Sequence, residues 1–127
     1  MDAGALGKVY QDGQVIIHQG EVGDAMYVIQ EGQVEVIIEQ DGEEVRLAVR
    51  GEGDFFGEMA IFDREVRSAT IRALGPVRVL TVDRRNFLRR IQADSSLAFR
   101  IVETMSRRIR ELDNEVARLQ TIVRGRP

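Results

Sequence analysis

Along the first 83 residues the apolar positions come in short bursts separated by glycine turns. Gln14 to Ile17, Met26 to Ile29, Val34 to Ile38, Val45 to Val49, Thr70 to Ala73 and Val77 to Val82 are rich in β-branched residues, which suit a pleated, half-buried surface. Val34, Val36 and Ile38 alternate with Glu35 and Glu39, the period of a strand with one face inside. Turn residues punctuate the runs at Asp12-Gly13, Gly20, Gly23-Asp24, Glu31-Gly32, Asp41-Gly42, Gly51, Gly53-Asp54 and Gly75-Pro76. Asp41-Gly42 between two such runs predicts a tight hairpin. Many short strands at this spacing predict an antiparallel sandwich or jelly roll.

After Val82 the period changes. Asp83 is placed to cap a helix through Phe87, Leu88 and Ile91. A break at Ala93-Asp94-Ser95-Ser96 leads into a longer helix, in which Ile109, Leu112, Val116, Leu119 and Val123 step by three and four, an apolar seam of heptad type. Leu97, Ile101 and Met105 extend the stripe upstream. Its first half is expected to pack on the chain's own sheet, and Ile109 to Val123 to pair with a second chain. The expected division is residues 1–83 as a β-barrel and 84–127 as C-terminal helices.

Charge sharpens this division. Residues 1–83 hold 16 acids and 7 bases, whereas 84–127 hold 5 acids and 11 bases. A basic helical tail suits nucleic acid, but arginines on the solvated faces of amphipathic helices account for the same numbers, and the second account is preferred. With 127 residues, 43% of them hydrophobic, the chain has the material for one core. No apolar run approaches the roughly 20 residues of a membrane helix and no signal peptide precedes the first strand, so a cytoplasmic location is expected. The chain has no cysteine and one histidine, His18. That removes disulfides, thiolate metal sites and cysteine nucleophiles, and leaves too few imidazoles for the clustered-histidine metal site of a jelly-roll enzyme. No nucleophile stands with a base and no ATPase-type phosphate loop is present. The expectation is a protein that is not an enzyme and carries no metal or cofactor.

One stretch carries chemistry of its own. Residues 55–70 read FFGEMAIFDREVRSAT and form an insertion between two strands, expected to contain one helical turn. Gly57 permits close backbone approach, and a helix starting near Glu58 would aim free N–H groups, that of Ala60 first, at an anion. Arg67 and Ser68 bring a guanidinium fork and a hydroxyl to the end of the loop. An anion with neighbouring hydroxyls suits this set, with phosphate on Arg67 and a sugar hydroxyl on Glu58.

The order and spacing of Ile17-His-Gln-Gly-Glu21, Gly23-Asp24, Tyr27-Val-Ile29, Gly32, Gly53-Asp-Phe-Phe-Gly-Glu-Met-Ala60 and Arg67-Ser-Ala-Thr70 resemble the cyclic-nucleotide-binding domains of catabolite activator protein and protein kinase A regulatory subunits. The resemblance covers nearly the whole chain. It implies an antiparallel β jelly-roll barrel, a double-stranded β-helix, followed by two α-helices. It also implies a phosphate-binding cassette of Gly57, Glu58, Met59, Ala60, Arg67, Ser68 and Ala69. There Gly57 and Glu58 would meet the ribose 2′-hydroxyl, and Arg67 the exocyclic phosphate oxygens with help from Ser68. The base would lie against Val36 and Leu47, and the lid positions, counted without gaps from Arg67, fall on Leu112 and Asp113.

Several features depart from the family pattern. Met1 to Lys8 is short and glycine-rich where a helix usually precedes the barrel. Leu112 can pack on a purine but cannot hydrogen-bond its edge, whereas Asp113 accepts from an amino group of adenine or guanine. Ser68 stands where family members that bind cyclic GMP often carry threonine, which leans toward cyclic AMP. No helix-turn-helix follows the long helix, so no DNA-binding motif is expected in these residues. The expected function is a cyclic-nucleotide sensor in which Ile61 and Phe62 repack and the C-terminal helices move, with homodimerisation along the seam. The alternatives are a ligand-free interaction domain, in which Glu58 and Arg67 merely pin the loop as an ion pair, and the sensor part of a longer transcription regulator, kinase, channel or transporter.

Overall fold

The computed structural model describes residues 7–63 and 66–125. The strands are β1 (Lys8–Tyr10), β2 (Val15–Ile17), β3 (Ala25–Gln40), β4 (Glu43–Arg50), β5 (Phe55–Phe56) and β6 (Thr70–Asp83), and the helices are α1 (Met59–Phe62), α2 (Arg84–Ala93) and α3 (Ser95–Arg124). All strand pairings are antiparallel. The path runs β1-β6-β3-β4, with β2 added to β6 and β5 to β3. This is the jelly-roll barrel with C-terminal helices.

The two central strands are longer than the periodicity predicts. Runs expected to be separated by turns at Glu31-Gly32 and Gly75-Pro76 are single strands, β3 and β6, and the glycines mark bulges in their shared ladder. Glu31 pairs with Arg78 and Gln33 with Leu74, so β6 spends Gly75, Pro76 and Val77 where β3 spends only Gly32. Extra residues bend a strand without ending it. Gly32 has φ +89, and a Cβ there would stand 2.3 Å from the Pro76 carbonyl oxygen; only glycine lets the two backbones come this close. Sequence shows the glycine and proline but not the ladder that continues across them. β1 and the two-residue β5 have no distinct signal in the chain.

The Asp41-Gly42 hairpin forms as expected. Both residues have positive φ, 54° and 79°, the signature of a type I′ turn, and Gln40 pairs with Glu43 across it. The main core gathers Ile17, Ile29, Val34, Phe56, Ile71, Ala73, Val77 and Val79, with Tyr10, Ile16, Tyr27 and Val36 half-buried against it. The buried residues come from four strands and Tyr10 from a fifth, so the core closes only when distant segments pair.

The chain divides into two compact units after Phe87, a buried residue in the first half of α2. Asp83 caps that helix, its Oδ1 accepting from the Asn86 amide at 2.8 Å. Asp94 caps α3 by accepting from the Ser96 amide at 3.1 Å and the Ser96 hydroxyl at 2.6 Å; these bonds hold its carboxyl below the usual range. In α3, Leu97, Ile101 and Met105 are half-buried, whereas Ile109, Leu112, Val116, Leu119 and Val123 are all exposed. No helix among the described residues is long and apolar enough to cross a membrane. The expectation for Met1 to Lys8 lies, up to Leu6, outside the described residues, as do Arg64 and Glu65 of the cassette loop and the terminal Arg126 and Pro127.

Candidate functional site

The cassette begins at β5. Phe55 and Phe56 are buried, pair with Val28 and Tyr27 of β3, and Phe56 stacks on Tyr27 with ring centroids 5.2 Å apart. This apolar anchor fixes where the loop leaves the barrel. Gly57 follows at φ +76, and a Cβ there would stand 2.9 Å from Ile17 Cδ1 and 3.0 Å from Arg67 Nη1. Gly57 is therefore required twice, for its left-handed backbone and for the room it leaves.

Glu58, half-buried, occupies the N-cap position of the four-residue helix α1 with helical backbone angles and without a side-chain cap bond. Within α1, Ala60 and Ile61 are buried while Met59 and Phe62 face outward. The Ala60 amide, expected to be free for an anion, donates to the Gly57 carbonyl at 3.3 Å, the long end of hydrogen bonding. Phe62 meets Phe87 edge to face, with centroids 5.8 Å apart, so α1 touches the first half of α2.

The returning segment is fixed through its backbone. The Arg67 amide donates to the Glu21 carbonyl at 2.7 Å, and the Arg67 carbonyl accepts from the Gly20 amide at 2.8 Å; Val66 bridges to Val22 one residue earlier. From this clamp the guanidinium reaches back across the loop. Nη1 donates to the Gly57 carbonyl and Nη2 to the Ala25 carbonyl, both at 2.8 Å. A guanidinium has five N–H donors, so these two bonds orient the group and leave others for a further acceptor. The side chain lies against Gly23, where an added Cβ would sit 2.2 Å from Nη2. Tyr27 is near enough that Arg67 opposes the rise that burial imposes on its hydroxyl pKa. Ser68 is exposed and Ala69 half-exposed as the chain enters β6.

The structure thus gathers Gly57, Glu58, Met59, Ala60, Arg67, Ser68 and Ala69 in one loop. Val36 and Leu47 stand on the neighbouring strands β3 and β4. Val36 is half-buried against the core and Leu47 is 56% exposed. Val36 pairs with Ala48 and Ile37 with Arg46, leaving Leu47 as the unpaired residue of a bulge. Leu112 and Asp113 belong to α3 in the second unit, and both are exposed.

Two participants escape sequence reasoning. Gly23 enters the sequence reading as a turn glycine and as part of the motif spacing, but not as the residue that makes the space for the Arg67 guanidinium. The Ala25 carbonyl belongs to an alanine 42 positions from Arg67, and nothing in an alanine side chain announces what its backbone will accept.

Comparison with known proteins agrees with this geometry. The family model described as cyclic nucleotide-binding domain matches residues 7–94. The cGMP-dependent protein kinase egl-4 of Caenorhabditis elegans is 51% identical over 81 residues, covering 61% of this chain and 10% of the kinase. The cyclic AMP receptor protein of Thermus thermophilus is 33% identical over 110 residues, covering 86% of this chain and 51% of that protein. The crystal structure of Thermus thermophilus catabolite activator protein superposes with a TM-score of 0.80 at 32% identity, covering 89% of this chain and 54% of that one. The chain therefore spans about half the length of the bacterial relative and a tenth of the kinase. With the family pattern matched across the barrel and the cassette closed around Arg67, the chain belongs to the cyclic nucleotide-binding domain family.

Proposed function

We propose that this chain is a cyclic-nucleotide sensor, with cyclic AMP as its preferred ligand, that acts by binding rather than catalysis and needs no metal or prosthetic group. The observation that carries the reading is the Arg67 guanidinium, held by two neutral carbonyls at 2.8 Å. Carbonyls orient the group without neutralising it, so its charge remains to attract the cyclic phosphate. Glu58, at the other end of the loop, takes the ribose 2′-hydroxyl, while Ser68 supports the phosphate. Val36 and Leu47 offer apolar surface to the base. One relative is named for cyclic AMP and another for cyclic GMP, which leaves the preference to Ser68.

The proposed response is a population shift. Nucleotide reorganises α1, and the Phe62–Phe87 contact passes the change into α2. A ligand does this only by binding one arrangement more tightly than the other. The exposed seam Ile109 to Val123 pairs two copies in the cytoplasm and carries the signal onward. Leu112→Lys should then yield a monomer by light scattering at concentrations where the unmodified chain is a dimer.

The direct test is calorimetric titration of the nucleotide-stripped protein with cyclic AMP and cyclic GMP, alongside Arg67→Ala and Arg67→Lys. Truncating a desolvated charged partner costs roughly 2–5 kcal/mol, on the order of 30-fold to several thousand-fold in affinity. Arg67→Lys keeps the charge without the fork and should fall between. No heat and no melting shift with either nucleotide would instead leave a ligand-free interaction domain.

A further inference from the structure

The cassette does not account for Glu35, a buried acid bonded by two arginines. Glu35 lies on β3 directly before Val36, and its side chain is only 6% exposed. Arg46 of β4 reaches Glu35 Oε2 through Nε at 3.1 Å and Nη2 at 2.5 Å. Arg72 of β6 reaches Oε1 through Nε at 2.7 Å and Nη2 at 2.5 Å. Glu44 holds the far side of Arg72 at 3.2 and 3.3 Å. One carboxylate thus ties three adjacent strands together.

Its location relative to the base-binding strands gives this clamp a function. Side chains alternate along β3, so Glu35 and Val36 point to opposite faces. The clamp is therefore not itself a ligand contact. Arg46 is the residue next to Leu47, and Leu47 is the one position of β4 between Arg46 and Ala48 that has no ladder partner on β3. A bulged residue is held by its neighbours instead of by its own pairing. On one side that neighbour is fixed to Glu35 by two hydrogen bonds.

Resting on the sensor reading above, we propose that Glu35 is a positioning residue that fixes the Leu47 bulge through Arg46 and so sets the contact between the barrel and the purine. The cassette, which holds ribose and phosphate, does not depend on it. The consequence is a separation of ligand parts: disturbing the clamp should weaken recognition of the base while leaving that of the cyclic phosphate intact.

The test compares cyclic AMP with ribose 3′,5′-cyclic phosphate, which lacks the base, on the unmodified chain, Glu35→Gln, Arg46→Gln, Leu47→Ala and the double variant Arg46→Gln with Leu47→Ala. Arg46→Gln is included because its side chain is 55% exposed and its loss leaves Glu35 bound to Arg72, so the fold is retained even if Glu35→Gln unfolds. Both clamp variants should lose about tenfold in cyclic AMP affinity and less than about twofold for the base-free ligand, the range of coupling between contacting residues. In the Leu47→Ala background the Arg46→Gln effect should vanish. Equal losses for both ligands, no loss for either, or full additivity with Leu47→Ala would overturn the positioning role. Failure of the unmodified chain to bind either ligand would overturn the sensor reading and this inference with it.

Discussion

Arg67 and Arg72 are five residues apart, and each donates two or more hydrogen bonds, yet their partners differ in kind. Arg67 leans on the carbonyls of Gly57 and Ala25; Arg72 leans on the carboxylates of Glu35 and Glu44. Neutral acceptors hold a guanidinium in place and leave its charge uncompensated, whereas carboxylates consume the charge in holding strands together. Two arginines of one strand-and-loop segment therefore divide into a binding group and a structural one. Composition cannot tell them apart, because the difference lies in which atoms the fold sets opposite them.

The comparison is broken most strongly at Arg67. Arg67→Ala should abolish tight nucleotide binding, by the several-hundredfold scale of a lost charged contact, with only modest change in melting temperature. Arg72→Ala should do the reverse. It removes one of the two guanidinium partners of a buried carboxylate, and a stability loss of about 2 kcal/mol is expected in denaturant unfolding, below the roughly 3–5 kcal/mol of fully unpairing a buried charge because Arg46 remains. If Arg72→Ala cost more affinity than Arg67→Ala, the division drawn here would be reversed.

Gly57→Ala sharpens the same contrast from the carbonyl side. A Cβ at φ +76 and 3.0 Å from Arg67 Nη1 forces either the loop or the guanidinium to move, with about 1–3 kcal/mol of backbone strain. Nucleotide affinity should fall with it, and Arg72-dependent stability should not, as unfolding of the double variant Gly57→Ala with Arg72→Ala would show by additivity.

The smallest effect is pH-dependent. Hydrogen bonds from Arg46, followed by those from Arg72, hold the Glu35 carboxyl below its ordinary 4.5 against the opposing effect of burial. A carboxylate depressed in the folded state contributes stability that is complete above its unfolded pKa and is lost as pH falls through the folded value. Unfolding free energy of the unmodified chain should therefore decline below about pH 4.5 more steeply than that of Glu35→Gln. Parallel curves would show that the clamp does not depend on the charge of Glu35.

Much of this molecule is legible before folding because it is encoded locally. The β-branched run Val34 to Ile38, the Asp41-Gly42 turn, the Asp83 cap and the stepping seam of α3 each depend on residues within a few positions of one another. The cassette loop is legible for a related reason: Gly57, Glu58, Arg67 and Ser68 lie within twelve consecutive residues, and the order and spacing of the motifs from Ile17 to Thr70 carry the family pattern. The turns that the sequence predicts at Glu31-Gly32 and Gly75-Pro76 show the limit, since the same glycines end a strand or bulge it depending on what the opposite strand does.

The sequence by itself determined the antiparallel jelly-roll class with helices after it, the Asp41-Gly42 hairpin, the Asp83 cap and the short loop in which Gly57, Glu58, Arg67 and Ser68 lie. Tertiary structure alone decided that β3 and β6 run unbroken through their bulges, that Gly23 and the Ala25 carbonyl complete the seat of Arg67, and that Glu35, spaced like any solvated acid of an alternating strand, is buried between two arginines. Periodicity reports which face a residue takes. The partner waiting on that face comes from another strand, and only closure of the barrel brings it within the 2.5 to 3.3 Å over which these hydrogen bonds operate.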